Sequence, residues 1–425
     1  MANEYTTGAM FSGAMPAWQR DYYSDVLMDT LRTKSIMVPF CATKEDFAAK
    51  ATGIMHYSEV FDTDPNFNAL SEQDIWLRGA HLDTRSVNLT MEIHGDTLKF
   101  SDYSQVVNYL NQGDLRGLVR DKIGQNLKDT MDILARNAFL SHPYPVFAGG
   151  LRASRDLIQS TDLFDPDLGE LARTHLEEAE IPGIAGTQDG DGAVIVCVTT
   201  PRVIHDIRTV AGNGWLDIQK YVGTNRKFTS EVGMWAGVRY VRTNRMVLRN
   251  HGAVIQQTTL SAPTVVGQGA AATVDSVYSV GQTASVRTVP CADVTDFAVG
   301  DIVTVSSQSV NGGAGNAPLE TDGEQETRRI VAKSGGVAGS LTFDKPLMKP
   351  HLSGDLVTKG ITIHNSVFIG GPSVVMGVAE RPVPVIPPKY DDMQMINRIG
   401  WRGFLKFQMF RPEFIEVHQT AGSTD

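Results

Sequence analysis

The 425-residue chain reads as an α+β protein with an additional small all-β insertion, and three observations lead there. Val87, Leu89, Met91 and Ile93 alternate with Asn88, Thr90 and Glu92, the two-residue period of a half-buried strand. Leu115, Leu118, Val119, Ile123, Leu127, Met131, Leu134, Ala138 and Phe139 recur every three or four residues, giving a helix one apolar face over many turns. Between 256 and 360 the composition turns to Gly, Ser, Thr and Val, with short β-type runs between Gly and Asp/Asn turns.

Taken in order, residues 1–35 are polar with a short helical possibility in "AWQRDYYSDVLMDTLRT", an arm that needs a neighbour to lie on. Residues 36–100 hold a strand in "SIMVPF" (35–40), an irregular polar middle ("DTDPNFNALSEQD") and the ribbon around 87–93. His94-Gly95-Asp96-Thr97 has turn chemistry, Leu98 and Phe100 resume the alternation, and Ser101-Asp102 offers a helix cap. The helix over 113–141 is roughly 40 Å long at 1.5 Å per residue. Asp114, Asp121, Lys122, Lys128, Asp129 and Asp132 occupy much of its remaining surface, and Pro143 stops it.

Residues 150–255 read as α/β, with a helix in "DLGELARTHLEEAEI", a buried strand in "AVIVCVT" and a helix from Pro201 capped by Thr200. The run "VGMWAGVRYVRTN" reads as one strand. In the insertion, strands are expected in "ASVRTV", "DIVTVSS", "RRIVAKS" and "SLTFDKPL". The last segment, 400–420, puts Trp401, Gly403, Leu405, Phe407 and Met409 on one strand face.

The 38 basic and 48 acidic residues leave a net charge of -10, against a chain that grips nucleic acid along a basic stripe. That balance still suits a protein that encloses nucleic acid behind a weakly repelling wall. Cys41, Cys197 and Cys291 are odd in number and lack C-x-x-C spacing, so they are read as small buried hydrophobes, neither a disulfide framework nor a zinc site. No apolar run approaches the roughly 20 residues that span a bilayer, so no membrane partner is expected. The start lacks the basic and apolar regions of a signal peptide, so the chain is expected in a cytoplasm or a particle assembled there.

Each catalytic-looking pattern lacks a partner its chemistry needs. "DGDG" (189–192) begins like a calcium loop, but its twelfth position is Thr200 where a bidentate carboxylate belongs, so it is read as a turn. "GQGAAA" (267–272) has dinucleotide-loop glycines without the strand before and helix after. G-x-S-x-G, H-E-x-x-H and G-x-x-x-x-G-K-[ST] do not occur. His175 and His205 have no second ligand at metal spacing and are read as structural or surface residues, and "HLEEAE" (175–180) as a solvated helix face. No catalytic, cofactor-binding or metal-ligating residue is assigned, no cofactor is expected, and an enzyme is not the favoured reading.

An arm, a two-stranded extension, a long strut helix, an α/β domain and a returning last strand, in that order, resemble the major capsid proteins of tailed phages, the Hong Kong 97-type fold. More closely, "SVNLTMEIHGDTLKFSDYSQ", "LVRDKIGQNLKDTMDILARNAFL", "VTTPRVIHDIRTV" and "EVGMWAGVRYVRTNRM" resemble the major capsid family typified by the podovirus coliphage N-four, over roughly 80–255 and 361–418. The resemblance implies an N-terminal arm (1–35), an extended loop region reaching over a neighbouring subunit (36–100) and a peripheral domain with the spine helix (101–149). It further implies an axial domain (150–255 and 361–390) and a C-terminal peripheral strand and tail (391–425). The all-β stretch 256–360 is not explained by it. A barrel or sandwich outside the shell is expected there, either a stabilising knob or a site for a decoration protein, a neighbouring capsomer or a host surface.

The implied function is a major capsid protein that self-assembles into hexamers and pentamers of an icosahedral shell around double-stranded DNA. Its implied partners are further copies of itself, portal and scaffolding proteins, possible decoration at 256–360, and packaged DNA held without sequence preference. Its place is the virion capsid, assembled in the host cytoplasm. Two strands alone cannot bury a face, so Val87, Leu89, Met91 and Ile93, or the opposite face, are expected to lie partly against an adjacent subunit. Aspartate at both Leu89 and Met91 should then prevent closed shells while the α/β domain stays folded. "RRIVAKSGG" supplies a basic cluster for acidic surfaces, so charge reversal at Arg328 and Arg329 should change shell stability. An encapsulin-like compartment and a soluble hydrolase with a β binding module remain as alternatives.

Overall fold

The computed structural model describes residues 35–44, 54–60, 83–101, 115–184, 188–189, 192–211, 215–217, 228, 230–264, 286–306, 325–347, 351–386 and 396–423. The arm, the polar middle, the Asp102 cap and "GQGAAA" lie outside these residues. In chain order the strands β1 Ala42–Lys44, β2 Ile54–Val60, β3 Thr84–Thr90 and β4 Glu92–Ser101 precede helix α1, Leu115–Leu140. There follow β5 Val146–Phe147, α2 Pro166–Glu178, β6 Gln188–Asp189, β7 Gly192–Ala193, β8 Ile195–Thr199, α3 Pro201–Ala211 and β9 Leu216–Asp217. Next come β10 Glu231–Trp235, β11 Val238–Arg242, β12 Val247–Leu248, β13 Val254–Thr259, β14 Val286–Pro290, β15 Ile302–Ser306 and β16 Glu326–Ser334. The chain ends with β17 Ser340–Leu347, β18 Leu356–Gly360, β19 Ile363–Ile369, β20 Val374–Val385, β21 Ile396–Met409 and β22 Ile415–Thr420. It divides into two compact units, Met1–Ala135 with Val374–Phe410, and Arg136–Ser373 with Arg411–Asp425.

The first unit is built on a four-stranded sheet in the order β1-β20-β21-β4. Trp401, Gly403, Leu405 and Phe407 are buried along β21 while Arg402 and Gln408 are exposed, the alternation read from the sequence. Helix α1 buries Val119, Ile123, Leu127 and Met131. Its Asn126 joins helix to sheet, accepting from Trp401 Nε1 at 3.0 Å and donating to Asp96 Oδ2 at 2.9 Å. The turn expected at 94–97 is absent, because β4 runs straight through as the ten-residue partner of β21, Glu92 opposite Leu405 to Ser101 opposite Ile396. Gly95 is there for close approach: a Cβ on it would lie 2.6 Å from the Trp401 carbonyl oxygen.

"SIMVPF" is not a strand either. Pro39 has no amide hydrogen for a ladder, and Val38–Phe40 form a 3-10 turn with Val38 and Phe40 buried. What fixes that turn is Asp132, expected on the polar surface of α1 but 1% exposed. Its Oδ1 accepts from the amides of Ile36 at 3.2 Å and Met37 at 3.3 Å, so the charge is spent on donors that burial would otherwise strand.

The second unit carries an eight-stranded mixed sheet, β5-β22-β19-β8-β11-β10-β9, with β12 alongside β19. Helices α2 and α3 cover one face through a core that includes Ala172, Leu176, Val203, Ile207, Tyr240 and Phe368. Asp165 caps α2 by accepting from Asp167 N at 3.2 Å, with Pro166 at the first position. Thr200, read as the cap of α3, pairs its hydroxyl with His364 Nδ1 at 2.9 Å, while its carbonyl accepts from Ile204 N. "VGMWAGVRYVRTN" proves to be a hairpin, β10 against β11. Ala236 and Gly237, both at positive φ (48° and 78°), make the two-residue turn whose twist suits a hairpin.

The insertion is a six-stranded antiparallel sheet, β13-β18-β15-β16-β17-β14, which contains each of the four expected strands. Its first and last strands meet where Ser261 N donates to Pro290 O at 3.0 Å and Ala292 N to Thr259 O at 2.9 Å, so the sheet closes around Val289, Val303, Ile330, Leu341, Phe343 and Val357. Arg328, read as part of a surface basic cluster, donates to Pro346 O and Glu326 Oε2 and ties β16 to β17; Arg329 beside it is exposed.

The chain passes between the two units after Ser373 and after Phe410. β20 lies with β21 in the first unit, and β22 pairs with β19 in the second. Pro382 and Pro384 fall inside β20, a long strand that folds back on its successor, a common arrangement of consecutive strands.

Replacing Asp132 by Ala leaves two amides of 36–37 without their acceptor. We expect a loss of about 1–3 kcal/mol in denaturant unfolding, with faster amide exchange over 36–41.

Candidate assembly surface

β2 and β3 form a two-stranded antiparallel ribbon, Ile54 opposite Thr90 to Val60 opposite Thr84. Opposed residues share a face, so one face carries Met55 with Leu89, Tyr57 with Val87 and Glu59 with Arg85. That face grades from apolar to charged. Met55 and Leu89 are buried at its base with Val375 and Phe410, Tyr57, Val87 and Met91 are partly buried against them, and Glu59 and Arg85 form a half-buried ion pair at 3.8 Å. Tyr57 meets Phe410 with ring centroids 4.7 Å apart. The opposite face is mixed, with His56 Nδ1 and Asn88 Oδ1 at 2.6 Å between Ile54 and an exposed Val60.

The four singled-out residues therefore have different surroundings. Leu89 is fully buried within this chain, Val87 and Met91 are half-buried there, and Ile93 is 68% exposed. Met91 is the break where the chain leaves its pairing with β2 and takes up pairing with β21, so the alternation that looked continuous spans two strands. Strand β2 was not read from the sequence, although "IMHYSEV" carries the β-branched and aromatic residues that would mark it.

Among the described residues no group of three His, Cys, Asp or Glu side chains is placed to hold a metal ion. Burial raises all three thiols, Cys291 to about 11, the environment of packed and unreactive cysteines. The second unit does hold one compact titratable cluster. Glu416 lies 2.8 Å from His418 Nε2 and 3.4 Å from His175 Nδ1, joining β22 to α2. Burial pushes the Glu416 carboxyl up, but the hydrogen bond and charge of His418, with His175, outweigh it and hold the group below its ordinary value. His418 sits edge-on to Phe164 and Phe368. The cluster fastens a helix to a sheet.

A family model described as "Phage capsid protein" matches residues 146–312, from β5 into the barrel. No curated protein matches the chain. Among solved structures, the capsid of Ralstonia phage GP4 is similar at 12% identity with a TM-score of 0.53, over 91% of this chain and 88% of that one. The capsid of Cyanophage Pam1 matches at 8% identity and a TM-score of 0.48, over 91% and 89%, and that of Cyanophage P-SCSP1u at 9% and 0.47, over 92% and 89%. The Ralstonia phage likeness places the α+β chain in the Hong Kong 97-type capsid fold.

Two predictions follow from these packings. Leu89→Ala opens a cavity in the ribbon's own anchor and should cost about 2–5 kcal/mol in chemical denaturation, whereas Ile93→Ala should change stability by less than about 0.5 kcal/mol. Because the folded value of Glu416 is depressed, its contribution is complete above the ordinary glutamate range and is lost as pH falls through the depressed value. Urea midpoints measured from pH 7 to pH 3 should therefore fall, and less steeply in Glu416→Gln. With the family match in the second unit and the capsid fold spanning nearly the whole chain, the role is that of a phage major capsid protein, favoured over the encapsulin-like compartment and the hydrolase.

Proposed function

We propose that this capsid protein self-assembles into hexamers and pentamers of an icosahedral shell around the double-stranded DNA of a tailed phage, in the manner of the podovirus N-four type. The observation that carries the reading is a two-stranded ribbon whose base is anchored in the core of the first unit. Its base is packed in the chain's own core, and beyond that base the ribbon is a sheet of two strands, too little for independent stability. In this reading 1–35 is the arm, the ribbon within 36–100 reaches over a neighbouring copy, α1 is the spine, and the α2/α3 sheet is the axial domain. The barrel at 256–360 is the place for decoration or for stabilising mass.

The leading subunit-contact residue is Ile93, with Val87 and Met91 at the margin; Leu89 acts by holding the ribbon in place. Aspartate at Leu89 would therefore test folding of the first unit as much as assembly. The protein is structural and not an enzyme, takes no cofactor, and is assembled in the host cytoplasm with portal and scaffolding proteins. Association follows from many moderate contacts, each offset by the entropy of ordering arms and ribbons, which lets misplaced copies leave.

Negative-stain electron microscopy and light scattering of the expressed chain, with and without a scaffolding candidate, test this. Closed shells or capsomer rings are expected, and Ile93→Asp should abolish or reduce them while leaving the circular dichroism of the free chain unchanged. A uniform small oligomer under both conditions would overturn the reading.

A further inference from the structure

We infer that the surface where the barrel joins its host sheet, with Leu157, Val254 and Ile255 at its centre and Arg249 at its rim, docks the outer face of α2 of a second copy of this chain. The setting for that contact rests on the shell reading above. Consecutive residues of a strand face opposite ways, so two exposed aliphatic neighbours need a cause. Val254 is 54% and Ile255 55% exposed at the start of β13. The cause is a bulge: Val254 is opposite Gly360 and Gln256 opposite Lys359, which leaves Ile255 as the extra residue and breaks the alternation. Ile158 O accepts from Ala253 N at 3.0 Å, which brings the exposed Leu157 to the same junction. Three large aliphatic side chains gathered from two segments and left in water mark a contact surface, whereas single ones would not.

The rim is basic. Residues 232–274 contain Arg239, Arg242, Arg245 and Arg249 and no Asp or Glu. This run crosses the sheet end at which the barrel is rooted, since Arg242 is opposite Thr199 at the end of β8 and Val247 is opposite His364 at the start of β19. Arg239 is buried beside Glu231 and Arg245 is half-buried, but Arg242 and Arg249 are exposed. The carboxylates near this sheet end are engaged: Asp162 with Arg152 at 2.8 Å, and Asp206 with the amide of Ser423 at 3.1 Å. An apolar centre with a basic rim calls for a partner whose own apolar centre has an acidic rim.

Helix α2 has that composition. It buries Pro166, Gly169, Ala172 and Leu176 against the sheet. Its outward stripe, Asp167, Leu171, Thr174 and Glu178 at spacings of four, three and four, is exposed, with Glu170 beside it. Leu171 is 46% exposed there, an aliphatic side chain framed by carboxylates. The helix's arginine does not offset them, because Arg173 is tied to Glu177 at 2.6 Å and to Ala236 O at 2.7 Å. The barrel root and the α2 stripe are different patches of one chain, so the contact is head-to-tail, the kind that closes into a ring when its rotation allows.

The test is sedimentation velocity of the full-length chain at low and high salt, with electron microscopy of the same samples. The variants are Arg242→Glu/Arg249→Glu, Glu170→Lys/Glu178→Lys, the two pairs combined, and Ile255→Ser. Each reversal alone should weaken self-association about tenfold at low salt, and the combined exchange should restore it to within about threefold of wild type. Ile255→Ser should weaken it at both salt levels, because burial of an aliphatic side chain is not screened. The substituted side chains are exposed, so the unfolding temperature should not move; where it does, Arg249→Gln, Glu178→Gln and Leu171→Ala carry the same comparison. A combined variant no better than the single reversals would give this surface to another partner and overturn the inference, as would association that ignores every variant; shells seen in those samples would leave the shell reading standing. Association that follows the charge exchange without closed shells or capsomer rings would keep the contact and remove the shell reading. A wild type that stays monomeric would overturn both.

Discussion

A fourteen-residue strand whose inward face carries Trp401, Gly403, Leu405 and Phe407 has to be covered on that face and paired along both edges, and β21 meets all three demands within the first unit. The helix supplies the cover, with Asn126 satisfying the indole N–H that would otherwise be buried alone. β20 and β4 supply the edges. The ribbon then depends on this ladder, because β3 continues into β4 with one residue between them, and its anchoring cluster borrows Val375 from β20 and Phe410 from just beyond β21. A strand near the C-terminal end of the sequence thus determines where an element from its first quarter can stand.

Periodicity made the amphipathic helix, the buried strand at 195–199, the four barrel strands and the alternating face of β21 legible, since each is decided by a local repeat of apolar residues. Where long-range partners decide, the sequence misled. Gly95 and Asp96 have the chemistry of a turn, but pairing with the fourteen-residue β21 holds them extended. Asp132 looks like a solvated helix residue, yet it is buried against the amides of a segment nearly a hundred positions away. The run Val87, Leu89, Met91 and Ile93 has one period and two partners, so periodicity could say that the strand has an apolar face but not that the face changes neighbours at Met91. Arg328 was indistinguishable from Arg329 until the barrel closed and one of them turned to Pro346.

Charge is distributed more unevenly than the net value suggests. Carboxylates are missing from the run that crosses the sheet end, while those that flank it in space are tied to arginine or backbone partners.

The barrel's two ends are stitched together before the barrel begins. Gly252 N donates to Ile361 O at 2.9 Å and Ile361 N to Ala253 O at 3.0 Å, and Ala253 N reaches Ile158 O in the neighbouring segment. Chain entry and exit are therefore held a strand spacing apart by the host sheet itself, so the entropy of closing that loop grows only slowly with whatever is placed inside it. The position is a socket: a lineage can exchange, shorten or replace its cargo of sequence there while the wall that holds it keeps the same hydrogen bonds.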